Sequence, residues 1–73
     1  MFPQMSDLDD EIIGMAATVT LAVDPKRAGE VMIAIRGGTE AFTAVSDEPI
    51  AKHARVVVVD HLSARTVSVT PLP

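Results

Sequence analysis

The residues of this chain that could do chemistry are few, and Asp60-His61 is the first group to weigh, because with Ser63 or Ser68 it supplies the residue types of a hydrolase triad. A triad needs a base held against an exposed nucleophile, with oxyanion donors opposite. Nothing in this spacing fixes such a geometry, and an adjacent Asp and His at the end of a strand are ordinary turn polarity. No catalytic residue is assigned. His53 and His61 flank one strand, but the chain has no cysteine and offers neither a third nor a fourth ligand for zinc. The run Asp7-Leu8-Asp9-Asp10-Glu11 carries carboxylates, yet Ile12 stands where a calcium loop needs glycine and Thr18 where it needs a bidentate acid. No metal and no cofactor is expected.

Glycine-rich phosphate binding is excluded in the same way. Gly37-Gly38 lies between two strand-like runs and not at the start of a helix, so it turns the chain. Arg36-Gly37-Gly38 resembles one unit of an RNA-binding repeat but occurs once, within that hairpin.

The elements that would position any site follow from composition and period. Seventy-three residues make one domain, near the size at which a core alone can offset chain entropy. Phe2 and Phe42 are the only aromatics, and the remaining apolar residues are mostly Val, Ala and Ile, which suit strands. There is no signal-peptide pattern at the start and no apolar run long enough to span a membrane. The net charge of −4 comes from Asp7, Asp9, Asp10 and Glu11; from residue 12 onward six acids balance six bases. Residues 1–11 are therefore read as a flexible acidic leader that folding does not need, and 12–73 as the domain.

Along the domain, Met15, Ala17, Val19, Leu21 and Val23 alternate with Ala16, Thr18, Thr20 and Ala22, which predicts a half-buried strand. Asp24-Pro25-Lys26-Arg27-Ala28-Gly29 is a turn. Val31, Ile33 and Ile35 alternate next and end at Gly37-Gly38, a hairpin signal. A third strand runs from Thr39 to Val45 with Phe42 and Ala44 inward, and Asp47 before Pro49 could cap one helical turn through Ile50, Ala51 and Lys52. The fourth strand, Arg55 to Asp60, places Val56 and Val58 inward; His61-Leu62-Ser63-Ala64 forms a loop; Val67 and Val69 carry the fifth. The expected core is Val19, Leu21, Val31, Ile33, Ile35, Phe42, Ala44, Val56, Val58, Val67 and Val69.

Five short strands leave two exposed edges unless the sheet closes, so the expected fold is all-β, a small five-stranded OB-fold barrel, with Gly14 and Gly29 bending strands at its corners. An open meander or an SH3-like barrel fits the same alternation. OB barrels that bind single strands use aromatic platforms in a positive groove. Here the corresponding outer face shows Met32, Ala34, Ala41 and Thr43, and the body is neutral, so binding of nucleic acid or another polymer is the alternative and not the leading expectation. Met32, Ala34, Thr43, Val57 and Val59, with Ala41, form instead a small, uncharged candidate interaction surface for a protein, with self-association as another use of it. No small-molecule substrate is expected.

Residues 13–72 resemble the C-terminal soluble domain of the NfeD-like proteins. The residues that carry this are Gly14 followed by Ala17 and Thr20, Gly29-Glu30-Val31, Phe42-Thr43-Ala44 as an aromatic-x-Ala, Ile50 ahead of the fourth strand, Val56-x-Val58, and Val67-x-Val69-x-Pro71. The resemblance implies a five-stranded OB-fold domain that usually follows transmembrane helices and is commonly paired with stomatin or flotillin-like membrane proteins; some relatives add a serine protease domain. These residues hold neither membrane helices nor a protease region, and His53 stands where the family often has glycine. The function implied is a non-catalytic protein-interaction domain, itself soluble but membrane-associated through missing helices or a partner, on the cytoplasmic side.

Overall fold

The computed structural model describes residues 12–35 and 37–72; the acidic leader, the calcium-loop carboxylates and Arg36 lie outside them. The described chain forms β1 (Ala16–Leu21), β2 (Gly29–Ile35), β3 (Gly38–Val45), β4 (Arg55–Ser63) and β5 (Thr66–Pro71). They close into a barrel in the order β1-β2-β3-β5-β4, antiparallel throughout except for the β3–β5 pair. This is the OB-fold barrel expected from the sequence, and closure through β1–β4 rules out the open meander.

Period-two side chains fill the interior. Val19, Val31, Ile33, Phe42, Ala44, Val56, Val58, Val67 and Val69 are buried as expected, and no described polar or charged side chain joins them. β1 departs from simple alternation. Val19 pairs with Val31 but Leu21 with Glu30, so one residue of β1 is extra, and the resulting bulge turns Leu21 outward to 58% exposure. Leu21 was expected inside; the bulge hands its place to Val23, which is 2% exposed. Thr20 braces the step, its hydroxyl donating to the Glu30 carboxylate at 2.6 Å. Gly29 faces it from β2. A Cβ there would collide with the carbonyl oxygens of Leu21 and Ala22 and lie 2.7 Å from a Val23 methyl, so its role is close approach of backbones and not a special φ.

Two isoleucines close the two ends of β1. Ile50 exchanges backbone hydrogen bonds with Val23 (3.0 and 2.7 Å) and is 4% exposed. That pairing replaces the helical turn expected over 47–52: Ser46, not Asp47, accepts the turn hydrogen bond from the Glu48 N–H. At the other end Ile12 is buried above a turn in which Gly14 takes φ +92° and donates its N–H to Val58 O at 2.7 Å. Ile35, expected in the core, is only half-buried, because β2 runs past the end of β1 there and Ile35 packs at the rim.

Two hairpins are displaced from their expected positions. Ile35 pairs with Gly38, so the first hairpin turns ahead of Gly38, with Gly37 at φ +83° and Gly38 already in β3. β4 continues to Ser63, past the expected Asp60, because bulges after Val58 and after His61 keep it in register with β5. The loop shrinks to Ala64-Arg65.

Three substitutions test this frame. Gly29→Ala should cost about 3 kcal/mol or more, a large share of the stability of so small a domain, whereas Gly38→Ala, with nothing within 4 Å of its Cβ, should be nearly neutral; thermal melts by circular dichroism compare them. His53 is the only described non-glycine residue at positive φ, +78°, held by its N–H on Val19 O at 2.7 Å. His53→Gly should stabilise by about 0.5–1 kcal/mol, since it removes the strain of a Cβ in the left-handed region and keeps the bond. An unchanged or lower melting temperature would contradict that.

Candidate interaction surface

The polar groups that could have formed a reactive centre are engaged locally. Asp60 turns its carboxylate onto the His61 backbone N–H at 2.8 Å, and the His61 ring lies edge-on to Phe42, centroids 6.1 Å apart at 79°. The bulge after Val58 sets this orientation: it brings His61 opposite Val67, on the inner side, and Asp60 opposite Ser68. The Arg65 guanidinium covers another side of Phe42, 5.8 Å from its centroid. Phe42 is thus 5% exposed and enclosed by neighbours, so the one described aromatic offers no face for a base to stack on. His53 is exposed on the connection to β4, apart from His61 on the inner side of its far half, and among the described residues no cluster of His, Asp and Glu could hold a metal ion.

The expected interaction residues do face outward, on two different parts of the wall. Met32 pairs with Ala41 on one side and Thr18 on the other, Ala34 pairs with Thr39, and Thr43 with Glu30, which gathers four of them on the outside of β2 and β3. Ala34, Ala41 and Thr43 are exposed and Met32 is half-buried between its neighbours. Val57 lies beyond β1, between Ala16 and Thr70, also half-buried. Val59 is the extra residue of the β4 bulge, 48% exposed.

Period-two reasoning missed four exposed large apolar residues: Ile13, Leu21, Leu62 and Leu72. Leu21 and Leu62 are turned out by bulges, which leave no mark in the alternation. Ile13 sits in the Gly14 turn and Leu72 follows β5; Gly14 itself was the available signal for the first. Among the described residues no helix is long and apolar enough to cross a membrane.

Comparison with known proteins places this geometry. The family model of the NfeD C-terminal domain matches residues 16–70. The soluble domain of the NfeD protein YuaF from Bacillus subtilis superposes with a TM-score of 0.78 at 35% identity, over 92% of this chain and 81% of that one. The C-terminal domain of stomatin operon partner protein 1510-C from Pyrococcus horikoshii gives 0.67 at 27% identity, over 88% and 92%. A Corynebacterium glutamicum soluble domain, from a membrane protein implicated in regulation of membrane protease activity, shares the fold at 0.70 and 23% identity, over 86% and 95%. No curated protein matches the chain.

Proposed function

Because the chain belongs to the family of NfeD C-terminal domains, we propose that it is a non-catalytic protein-interaction domain that works at a membrane surface with a stomatin- or flotillin-like partner. The observation that carries this reading is the likeness, across 88% of the chain, to a domain whose own name is stomatin operon partner. The outer wall supports it. Met32, Ala34, Ala41, Thr43, Val57 and Val59 present small, uncharged groups, which suit protein contact better than recognition of a charged polymer. Attachment to the membrane comes through helices outside these residues or through the partner itself, with the domain on the cytoplasmic side.

The test is co-purification with a co-expressed stomatin-like membrane protein, comparing the domain with its Val57→Lys variant. Val57 is half-buried on the outer wall, where a lysine can lay its stem along the sheet and keep its charge in water, so stability should stay within about 1 kcal/mol of the parent. Affinity for the partner should fall about tenfold or more. Undiminished capture by the folded variant would remove β4 from the interface. Tight, salt-sensitive binding of the parent to single-stranded DNA would contradict the reading as a whole, and light scattering separates partner binding from self-association.

A further inference from the structure

Closure of this barrel is incomplete on one side of β3. From Gly38 to Ala44 β3 pairs with β2, but on the opposite side only Thr43, Ala44 and Val45 meet β5. Thr43 donates its N–H across that side to Arg65 O at 2.8 Å. Backbone groups alternate in direction along an antiparallel strand, so Thr39 and Ala41 aim their N–H and C=O the same way as Thr43, while Glu40 and Phe42 face β2. No described residue pairs with Thr39 or Ala41 on that side, and 38–41 are all exposed. Among the described residues this leaves a short stretch of open strand edge that ends where β5 begins.

We infer that this edge is the docking element of the interaction domain, and that it takes an extended segment of a partner protein as an added antiparallel strand, with a basic residue opposite Glu40. The inference rests on the reading of the chain as a protein-interaction domain and specifies how the contact is made. Backbone hydrogen bonds at Thr39 and Ala41 hold the added strand, as in other cases of strand addition. Glu40 selects its occupant. In the antiparallel register that uses Thr39 and Ala41 of both strands, a second copy of this chain would set Glu40 directly against Glu40, a repulsive cross-strand pair. A foreign strand with Lys or Arg at that position makes the attractive pair instead. The flanks admit it: Thr39 and Ala41 are small on the outer face, and Gly38 leaves open space around its Cα.

The experiment titrates the isolated domain with a blocked peptide, Thr-Val-Thr-Lys-Thr-Val-Thr, and with its counterpart carrying Glu at the centre, following backbone amide signals by NMR. The lysine peptide should shift the Thr39 and Ala41 amides and bind about fivefold or more tightly than the glutamate peptide. Glu40→Lys should invert that preference. Ala41→Pro should abolish binding yet keep the barrel, because the N–H it removes points away from β2; a melt checks folding, and if that variant does not fold the charge inversion at Glu40 still decides. Unshifted Thr39 and Ala41 amides, equal binding of both peptides, or the same shifts produced by oligothymidylate would overturn the inference. The peptides need no stomatin-like protein, so the two readings fail separately: a partner lost by Val57→Lys but retained by folded Ala41→Pro would leave the interaction domain standing and remove strand addition.

Discussion

Gly29 lies where β2 starts beside the end of β1, and a side chain there would strike two carbonyl oxygens of the neighbouring strand. That approach accommodates the β1 bulge, which lies beyond the Ala16–Thr18 stretch that pairs with β4. Val19 and Val23 then both point inward around it, and Val23 presents backbone groups to Ile50, whose side chain closes that end of the barrel. A domain with one described aromatic has little apolar area in reserve, so its core depends on the inward valines and isoleucines of all five strands. Close backbone approach at one glycine therefore governs the register of the first strand and the sealing of one end together.

The same economy shapes the surface. Small side chains let the barrel close with short strands, but short strands overlap for only part of their length. β3 is longer than its contact with β5 and, among the described residues, keeps a free edge at Thr39 and Ala41, beside a wall of small outer residues. Free edges invite uncontrolled pairing, and proteins commonly blunt them with charge. Glu40 sits in the middle of this one. The acid that disfavours pairing between copies also sets the charge that a different partner must bring, so protection and selectivity come from one side chain.

Most of the fold was legible because period-two alternation reports facing directly. Val31 and Ile33, Phe42 and Ala44, Val56 and Val58, Val67 and Val69 all face as their spacing indicates. The misassignments sit at irregularities. A bulge adds one residue without changing residue type, so Leu21, Leu62 and the extension of β4 to Ser63 had no signature. Ile50 was marked by its place in the family pattern, but its pairing with Val23 is a long-range contact, and local turn chemistry suggested a helical turn instead. For the candidate surface, the outward facing of Met32, Ala34, Thr43, Val57 and Val59 was legible. Their division between two parts of the wall was not, because alternation gives the face of a strand and not its neighbour. His53 shows the reverse case, a positive-φ backbone requirement that its residue type does not announce.

Strand addition fills in the complex an edge that is open in the free domain, and native-state amide hydrogen exchange reads that edge residue by residue. In the free domain the Glu40 and Phe42 amides should exchange slowly and those of Thr39 and Ala41 fast, an alternation within one strand. Adding a membrane-embedded stomatin-like protein that binds the domain should slow Thr39 and Ala41 and leave their neighbours unchanged. Slow exchange at Thr39 and Ala41 in the free domain, or no change there in a complex that has formed, would contradict it.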